Sequence, residues 1–264
     1  MKFIVTTTRK PDAAQENFAA QISARLDSKF VRREDFSFDA LKKIHDAENI
    51  LLVKKNSLSV MTSEGELFFH PNTAHLRLKN LREGRPDRLI DALKISSGSK
   101  VLDCTLGLGS DAIVESFVVG AEGKIVALEK NPLIFEVVSH GLKNFSEDSP
   151  HILEAMRRVE IFNVDCEKFL ASCADNSFDA VYFDPMFRRP IKKSSGLNAI
   201  RPLAESRSLT EKIIAEAVRV AKFHVVLKEH SGSEEFARLG FKILDGGKYS
   251  SVAFGVIDKV YRRM

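Results

Sequence analysis

Four consecutive residues, Asp184-Pro-Met-Phe187, combine a carboxylate, a rigid turn and an aromatic ring. They follow Phe178-Asp-Ala-Val-Tyr-Phe183, an apolar run that reads as a buried strand ended by a turn. An amino group conjugated to an aromatic ring is a poor nucleophile, because its lone pair is delocalised into the ring. The Asp184 carboxylate and the Pro185 carbonyl can accept its two N–H bonds and favour a pyramidal, reactive nitrogen. Phe187 can stack on a planar base drawn out of its helix, as chemistry on a base usually requires. The gain in such a site comes from positioning, with no covalent intermediate. The competing reading is an ordinary turn, since Asp-Pro commonly opens one and Phe187 can belong to the core. Taken alone the turn is the stronger reading, and other residues must decide.

A second constellation lies upstream. Val101-Leu-Asp-Cys-Thr-Leu-Gly-Leu-Gly109 has the order apolar strand, acid, Gly-x-Gly, and then enters a helix. The glycines let the backbone turn sharply and let a ligand approach closely. A dinucleotide fingerprint needs a third glycine three residues on, where this chain has Ala112. Asp103 is the more informative residue. An acid just before the turn repels a pyrophosphate but can accept from an ammonium group. S-adenosylmethionine carries an ammonium on its methionine end and no phosphate. Glu129 ends the next strand, 20 residues past Gly109. A carboxylate there can accept both ribose hydroxyls of an adenosine, which fits NAD as well, so the choice of cofactor rests on Asp103. Asp165, after the third strand, can accept from the adenine amino group, or can cap a helix over Cys166–Leu170.

Composition sets the frame for both constellations. The 264 residues fit one large domain with a small appendage. Hydrophobic residues make up 44% and charged residues 29%, as in a globular protein, and no run is long enough to cross a bilayer. Met1-Lys2-Phe3-Ile4 lacks the length of a signal peptide. Cys104, Cys166 and Cys173 are an odd set without metal-type spacing, which points to reduced thiols in a cytoplasmic protein. The seven histidines form no metal-type cluster. Basic residues are concentrated in two places. Between Arg188 and Arg207 stand Arg188, Arg189, Lys192, Lys193, Arg201 and Arg207 against the single acid Glu205. Arg77, Lys79 and Arg82 form a shorter basic stretch with His75. Both have the composition of a phosphate-binding surface, although a solvated face accounts for either one taken alone.

These residues need a scaffold, and the apolar pattern supplies one. Strands are expected at Lys100–Leu106, Gly123–Glu129, Val159–Val164, Phe178–Phe183, Phe223–Lys228, Lys242–Leu244 and Val252–Val260. An amphipathic helix at Asp87–Leu93 precedes them, and helical patterns fall between them, near Asp111–Val119, Pro132–Asn144, Ile152–Arg158, Leu209–Ala221 and Ser233–Leu239. This alternation predicts a mostly parallel sheet covered on both faces, with the last two strands forming an antiparallel hairpin. Ligands in such sheets sit beyond the carboxyl ends of the strands, where the motifs fall. Residues 1–85 read as a small α/β domain that can bind RNA, with strands at Phe3–Thr8, Ile50–Val53, Ser57–Met61 and Glu66–Phe69 and a helix at Ala13–Leu26. Residues 86–264 carry the larger domain.

The motifs together resemble the bacterial family that methylates N2 of a guanine in small-subunit (16S) ribosomal RNA. The family's Asp-Ala-Thr-x-Gly-Leu-Gly-x-Asp-Ala reads here as Asp103-Cys-Thr-Leu-Gly-Leu-Gly-Ser-Asp111-Ala112, and its Asp-Pro-Met-Phe as residues 184–187. Methyltransferases that act on the amino groups of bases often carry Asp-Pro-Pro-Tyr/Phe at this place. Met186 is therefore similar to a family trait and not a lesion. The stretch His75-x-Arg77-x-Lys79, with Gly84 beyond it, is also similar to a family segment.

The resemblance implies a Rossmann-like class I methyltransferase fold with seven strands, the last antiparallel, and S-adenosylmethionine as cofactor. Beside Asp103, Gly107 and Gly109, it implies contacts to that cofactor from Ser110, Asp111, Glu129, Lys130, Asp165, Cys166 and Asp184. Asp184, Pro185 and Phe187 become the catalytic set, and ribosomal RNA the partner. Three features depart from the family: Arg188 follows Phe187 in place of proline, Ser110 replaces arginine, and the loop after Lys193 lacks a lysine-rich run. The amino-terminal part looks like a divergent, Gram-positive-type branch. Methylation of DNA or a small molecule, or a catalytically silent RNA-binding factor on the same fold, are the alternatives.

Overall fold

The computed structural model describes residues 1–146, 148–185, 195–204, 208–244 and 250–259. These fall into two compact units. The first holds Met1–His70, Asn131–Ser146 and, among the described residues, 195–204. The second holds Pro71–Lys130 with the remaining described residues. The division therefore lies at His70/Pro71 where a boundary near residue 85 was expected, and two later segments return to the first unit. Among the described residues no helix is long and apolar enough to cross a membrane.

The first unit opens with β1 (Phe3–Thr7), α1 (Ala13–Arg25), β2 (Lys29–Phe30), α2 (Phe38–His45), β3 (Asn49–Val53), β4 (Leu58–Met61) and β5 (Glu66–Phe68). Its sheet has the order β2-β1-β3-β4-β5, parallel across the first three strands and antiparallel across the rest. Asp12 and Gln15 start α1 by exchanging side-chain bonds with each other's backbone N–H, at 2.8 and 3.1 Å. Ile4, Leu41 and Ile50 fill its core.

The second unit begins with α3 (Asn72–Arg82), α4 (Arg88–Leu93), β6 (Lys100–Asp103), α5 (Ser110–Val119) and β7 (Lys124–Leu128). The next helix, α6 (Pro132–Asn144), belongs to the first unit. There Glu136 receives a two-pronged ion pair from Arg25, at 2.6 and 2.9 Å. Gly141 of α6 lies against Phe69, where a Cβ would come within 2.2 Å of the ring. The second unit resumes with α7 (Pro150–Arg158), β8 (Val159–Phe162), α8 (Cys166–Ser172) and β9 (Phe178–Phe183). After α9 (Ser195–Ile200), in the first unit, come α10 (Glu211–Val220), β10 (Ala221–His230), α11 (Glu235–Arg238), β11 (Lys242–Ile243) and β12 (Val252–Asp258).

The larger sheet has the order β11-β12-β10-β9-β6-β7-β8. Strands β8, β7, β6, β9 and β10 pair in parallel, and β12 runs antiparallel to both β10 and β11. This is the seven-stranded, mostly parallel sheet with an antiparallel last strand that the alternation predicts. The chain leaves β6 towards β7 and β8, then returns to place β9 on the other side of β6. The strand order thus reverses between β6 and β9, the kind of switch point at whose carboxyl ends ligands bind in such sheets. Leu102, Val181, Phe183, Val225 and Leu227 bury the strand interiors, against Ile213 and Ala217 of α10.

Four described elements were not expected: β2, α2, α3 and α9. Residues 75–82 read as a basic stretch, yet they lie in α3, where Ala74 and Leu78, four apart, are buried on one face and the basic residues take the others.

Candidate active site

Asp103 closes β6 and is fully buried. Its Oδ1 accepts from the Thr105 amide at 2.8 Å and from the Thr105 hydroxyl at 3.4 Å. Among the described residues its buried Oδ2 has no hydrogen-bond partner. Burial pushes this carboxyl up to about 8, with Asp111 and Asp184 adding to the rise, while the Thr105 amide and Lys228 oppose it. The turn beyond has Gly107 at φ +51° and Gly109 at φ +78°, a left-handed backbone that any larger side chain would strain. Gly109 is also the N-cap of α5, so the chain passes from acid to turn to helix within a few residues.

Thr105 links this strand end to its neighbour. Its hydroxyl oxygen accepts from the Asp184 amide at 2.6 Å, and the Cys104 amide donates to the Tyr182 carbonyl at 2.9 Å. Asp184, just past β9, is thereby fixed beside Asp103 at the switch point. Pro185 follows it, half-buried. Met186, Phe187, Arg188, Arg189, Lys192 and Lys193 lie outside the described residues.

A chain of ion pairs runs behind these two acids. Lys228, near the end of β10, donates to Asp184 Oδ2 at 2.6 Å and to Asp111 Oδ2 at 2.9 Å. The Tyr182 hydroxyl donates to the same Asp111 oxygen at 2.8 Å. Arg77 of α3 donates from Nη1 to Asp111 Oδ1, and from Nε and Nη2 to Asp87 at 2.7 and 2.8 Å. Asp87 also caps α4 through the amides of Leu89 and Ile90. Asp87, Arg77, Asp111, Lys228 and Asp184 therefore alternate in sign, three carboxylates against two cations. All five are largely withdrawn from solvent, with side chains between 10% and 26% exposed.

Burial divides these groups into kinds. Asp184 is pushed up to about 6 by burial, with Lys228 pulling the other way. Burial opposes the charge on Asp111 as well, but Lys228 and Arg77 hold its carboxyl well below the usual range. Burial also opposes the charge on Lys228, yet Asp111 and Asp184 keep its ammonium above the normal lysine range. Glu115 of α5 is fully buried, and among the described residues neither carboxyl oxygen has a hydrogen bond. Burial, then Asp103 and Asp111, push it well up, so it stays neutral.

The remaining expected residues ring the same sheet edge. Glu129 follows β7; its amide donates to the Phe162 carbonyl at 3.0 Å, and its own carbonyl accepts from Asn163 at 2.8 Å. Lys130 pairs with Asp165 at 3.1 Å. Asp165 also caps α8 by accepting from the Glu167 amide at 2.9 Å. Cys166 is the first residue of α8, and Ser110 the first of α5. Lys79 and Arg82 are exposed on α3. Arg77, expected beside them on a phosphate-facing stretch, instead points its donors at two carboxylates.

Lys228, Tyr182, Thr105, Asp87 and Glu115 were not anticipated. Two of them left a signal. Lys228 is a cation closing the apolar run Val225-Val-Leu227, and Glu115 is a lone acid inside Ala112-Ile-Val-Glu-Ser-Phe-Val. The others were silent, since a threonine, a tyrosine and a helix-capping aspartate are ordinary where they stand. Among the described residues, no group of three or more His, Cys, Asp or Glu is placed to hold a metal ion.

The reversed strand order, the antiparallel β12 and the acid-then-glycine turn define a Rossmann-like methyltransferase. Residues 37–241 match the model of the putative SAM-dependent methyltransferase family, and the chain belongs to that family. Its cofactor is S-adenosylmethionine. The chain is 39% identical over 256 residues to uncharacterized protein YpiP of Bacillus subtilis, covering 97% of this chain and 99% of that one. It is also similar to ribosomal RNA small subunit methyltransferase J of Francisella philomiragia, 27% identical over 64% of this chain and 70% of the relative. The same enzyme of Coxiella burnetii is 31% identical over 61% and 62%. Among solved structures, the SAM-dependent methyltransferase NGO1261 from Neisseria gonorrhoeae shares the fold, with a TM-score of 0.62 at 17% identity over 97% of this chain and 96% of that one.

Removing Arg77 takes the cation from the buried Asp87 and leaves Asp111 with Lys228 and the Tyr182 hydroxyl. Arg77→Ala should therefore lower the unfolding free energy by about 3 kcal/mol or more in denaturant titration. A loss below about 1 kcal/mol, the range of an exposed pair, would show that Asp87 and Asp111 do not depend on it.

Proposed function

We propose that this methyltransferase acts on the exocyclic amine N2 of a guanine in small-subunit (16S) ribosomal RNA. The observation that carries the reading is the placement of Asp184 at the switch point, tied through Thr105 to Asp103. The Asp-Pro-Met-Phe motif and the two J-type ribosomal RNA methyltransferases among the relatives support the substrate. The exposed Lys79 and Arg82 on α3 supply cations for RNA phosphates, joined in the sequence by Arg188, Arg189, Lys192 and Lys193.

The site fits the cofactor. Asp103 offers a buried acceptor without a partner, suited to the ammonium of the methionine end. The left-handed glycines 107 and 109 leave room for close backbone approach, and Ser110 begins the helix beyond them. In this reading Glu129, just past β7, would receive the ribose hydroxyls, and Lys130, Asp165 and Cys166 would meet the adenine end. S-adenosylmethionine, when bound, supplies an activated methyl group.

The protein's part is to present the amine. Asp184 and the Pro185 carbonyl accept its N–H bonds and hold the nitrogen pyramidal. Positive charge grows on that nitrogen during transfer, and the Asp184 carboxylate stabilises it in a site largely withdrawn from water. Asp184 then takes the proton that the methylated amine releases. Asp184→Ala should lower transfer by at least about 10²-fold with cofactor affinity largely kept; retained activity would refute its role. Incubating labelled cofactor with small-subunit rRNA, DNA and a metabolite extract tests the substrate. Label is expected in the rRNA as N2-methylguanosine, and label confined to DNA or metabolites would overturn it.

Asp103 gives a second test. Its carboxyl is neutral below about 8, and an ammonium binds the ionised form. Cofactor binding should therefore release a proton, and affinity should rise by up to about tenfold per pH unit as pH climbs towards about 8. Asp103→Asn should be weak and flat. Calorimetry in buffers of different ionisation enthalpy reads both, and a pH-independent wild type would contradict the assignment. The same shift has a fixed sign for folding: the stability it contributes is full below the unfolded carboxyl value and is lost as pH rises through about 8.

A further inference from the structure

Lys228 stands between two carboxylates, 2.6 Å from Asp184 Oδ2 and 2.9 Å from Asp111 Oδ2. Its neighbours fix it from the far side. Arg77 and the Tyr182 hydroxyl hold Asp111, and Asp87 holds Arg77, so the Asp111 carboxylate has no freedom to follow a ligand. The resemblance implies that Asp111 touches the cofactor. Here both Asp111 oxygens already receive donors from the protein. Asp184 differs, because Oδ2 takes Lys228 while Oδ1 has no hydrogen bond among the described residues.

We propose that Lys228 is a positioning residue for Asp184: it fixes Oδ2, turns Oδ1 towards the amine, and is itself held in place by Asp111. This rests on the reading that Asp184 receives the amine. The physical reasons are orientation and charge. A carboxylate on a single rotatable stem needs a second anchor to present one oxygen, and the Thr105 hydroxyl anchors only its backbone amide. The acids that face Asp184 are Asp111 on α5, Glu229 on β10 and, across Thr105, Asp103 on β6. Tyr182 on β9 faces Asp111 as a neutral donor. The cation in direct contact is Lys228. Without it, burial and the surrounding acids would drive Asp184 towards the neutral acid, which is a poorer acceptor.

The pH-rate profile separates this role from a merely structural one. In wild type, activity should be lost as pH falls through about 6, where Asp184 takes up a proton. Lys228→Met should lower kcat by about 10²-fold near neutral pH, with cofactor affinity kept, and move the acid limb up by about one pH unit or more. Lys228→Arg keeps the charge, so its acid limb should stay where the wild type's lies, with most of kcat retained. An unshifted limb in the Met variant would overturn the proposal. A limb in the Arg variant that moves whenever lysine is lost would overturn it too, and this variant remains informative if the Met variant fails to fold. Retained activity in Asp184→Ala would instead sink the reading of Asp184 itself, whatever the Lys228 variants do.

Discussion

Charge buried at the carboxyl ends of the strands is the constraint on which this structure turns. Asp103, Asp111, Glu115 and Asp184 are four acids at one edge of one sheet, all with little access to water. A carboxylate in such a place must find a cation, find donors, or stay protonated. The chain uses all three solutions. Asp111 takes two cations and a phenol. Asp184 takes one cation and a backbone tie. Among the described residues Asp103 takes only the amide and hydroxyl of Thr105, and Glu115 takes no donor.

This division separates the acids by how fully the protein already occupies each carboxylate. A fully paired carboxylate such as Asp111 is a fixed strut: it ties α5 to α3 through Arg77 and to β10 through Lys228. Asp87 extends the same logic, serving as cap for α4 and counter-ion for Arg77. Among the described residues, Asp103 keeps a buried oxygen without a hydrogen bond beside the glycine turn, and Asp184 Oδ1 has no hydrogen bond either. Replacing the ionic chain by apolar groups would give an edge that folds as well and cannot orient a carboxylate.

Much of this was legible in the residues. The alternation of apolar runs and helices yields the parallel sheet, and two consecutive terminal strands yield the antiparallel β12. The spacing from Asp103 to Gly109 and Glu129, with Asp184 after a fourth strand, places the acids at strand ends before any coordinate is known. What was not legible has a common cause. Arg77 and Lys228 lie 151 positions apart in sequence and meet only through Asp111. No local pattern separates a cation aimed at a buried acid from one aimed at solvent, so the basic stretch at 77–82 read as one surface. In the fold it divides: Lys79 and Arg82 face water and Arg77 faces inward. Helix α6 escapes for a similar reason. Its pattern fixes that it is a helix, but Arg25 and Phe69, which tie it to the first unit, lie far away in the chain.

In the proposed reaction two acids have distinct tasks, Asp103 for the cofactor and Asp184 for the amine. A crystal structure with S-adenosylmethionine bound tests that division most directly. It should show the ammonium of the methionine end on Asp103 Oδ2, and Asp184 still held by Lys228 with Oδ1 turned towards the methyl-bearing side. A cofactor whose methionine end avoids Asp103, or an Asp184 turned away from the methyl group, would contradict it.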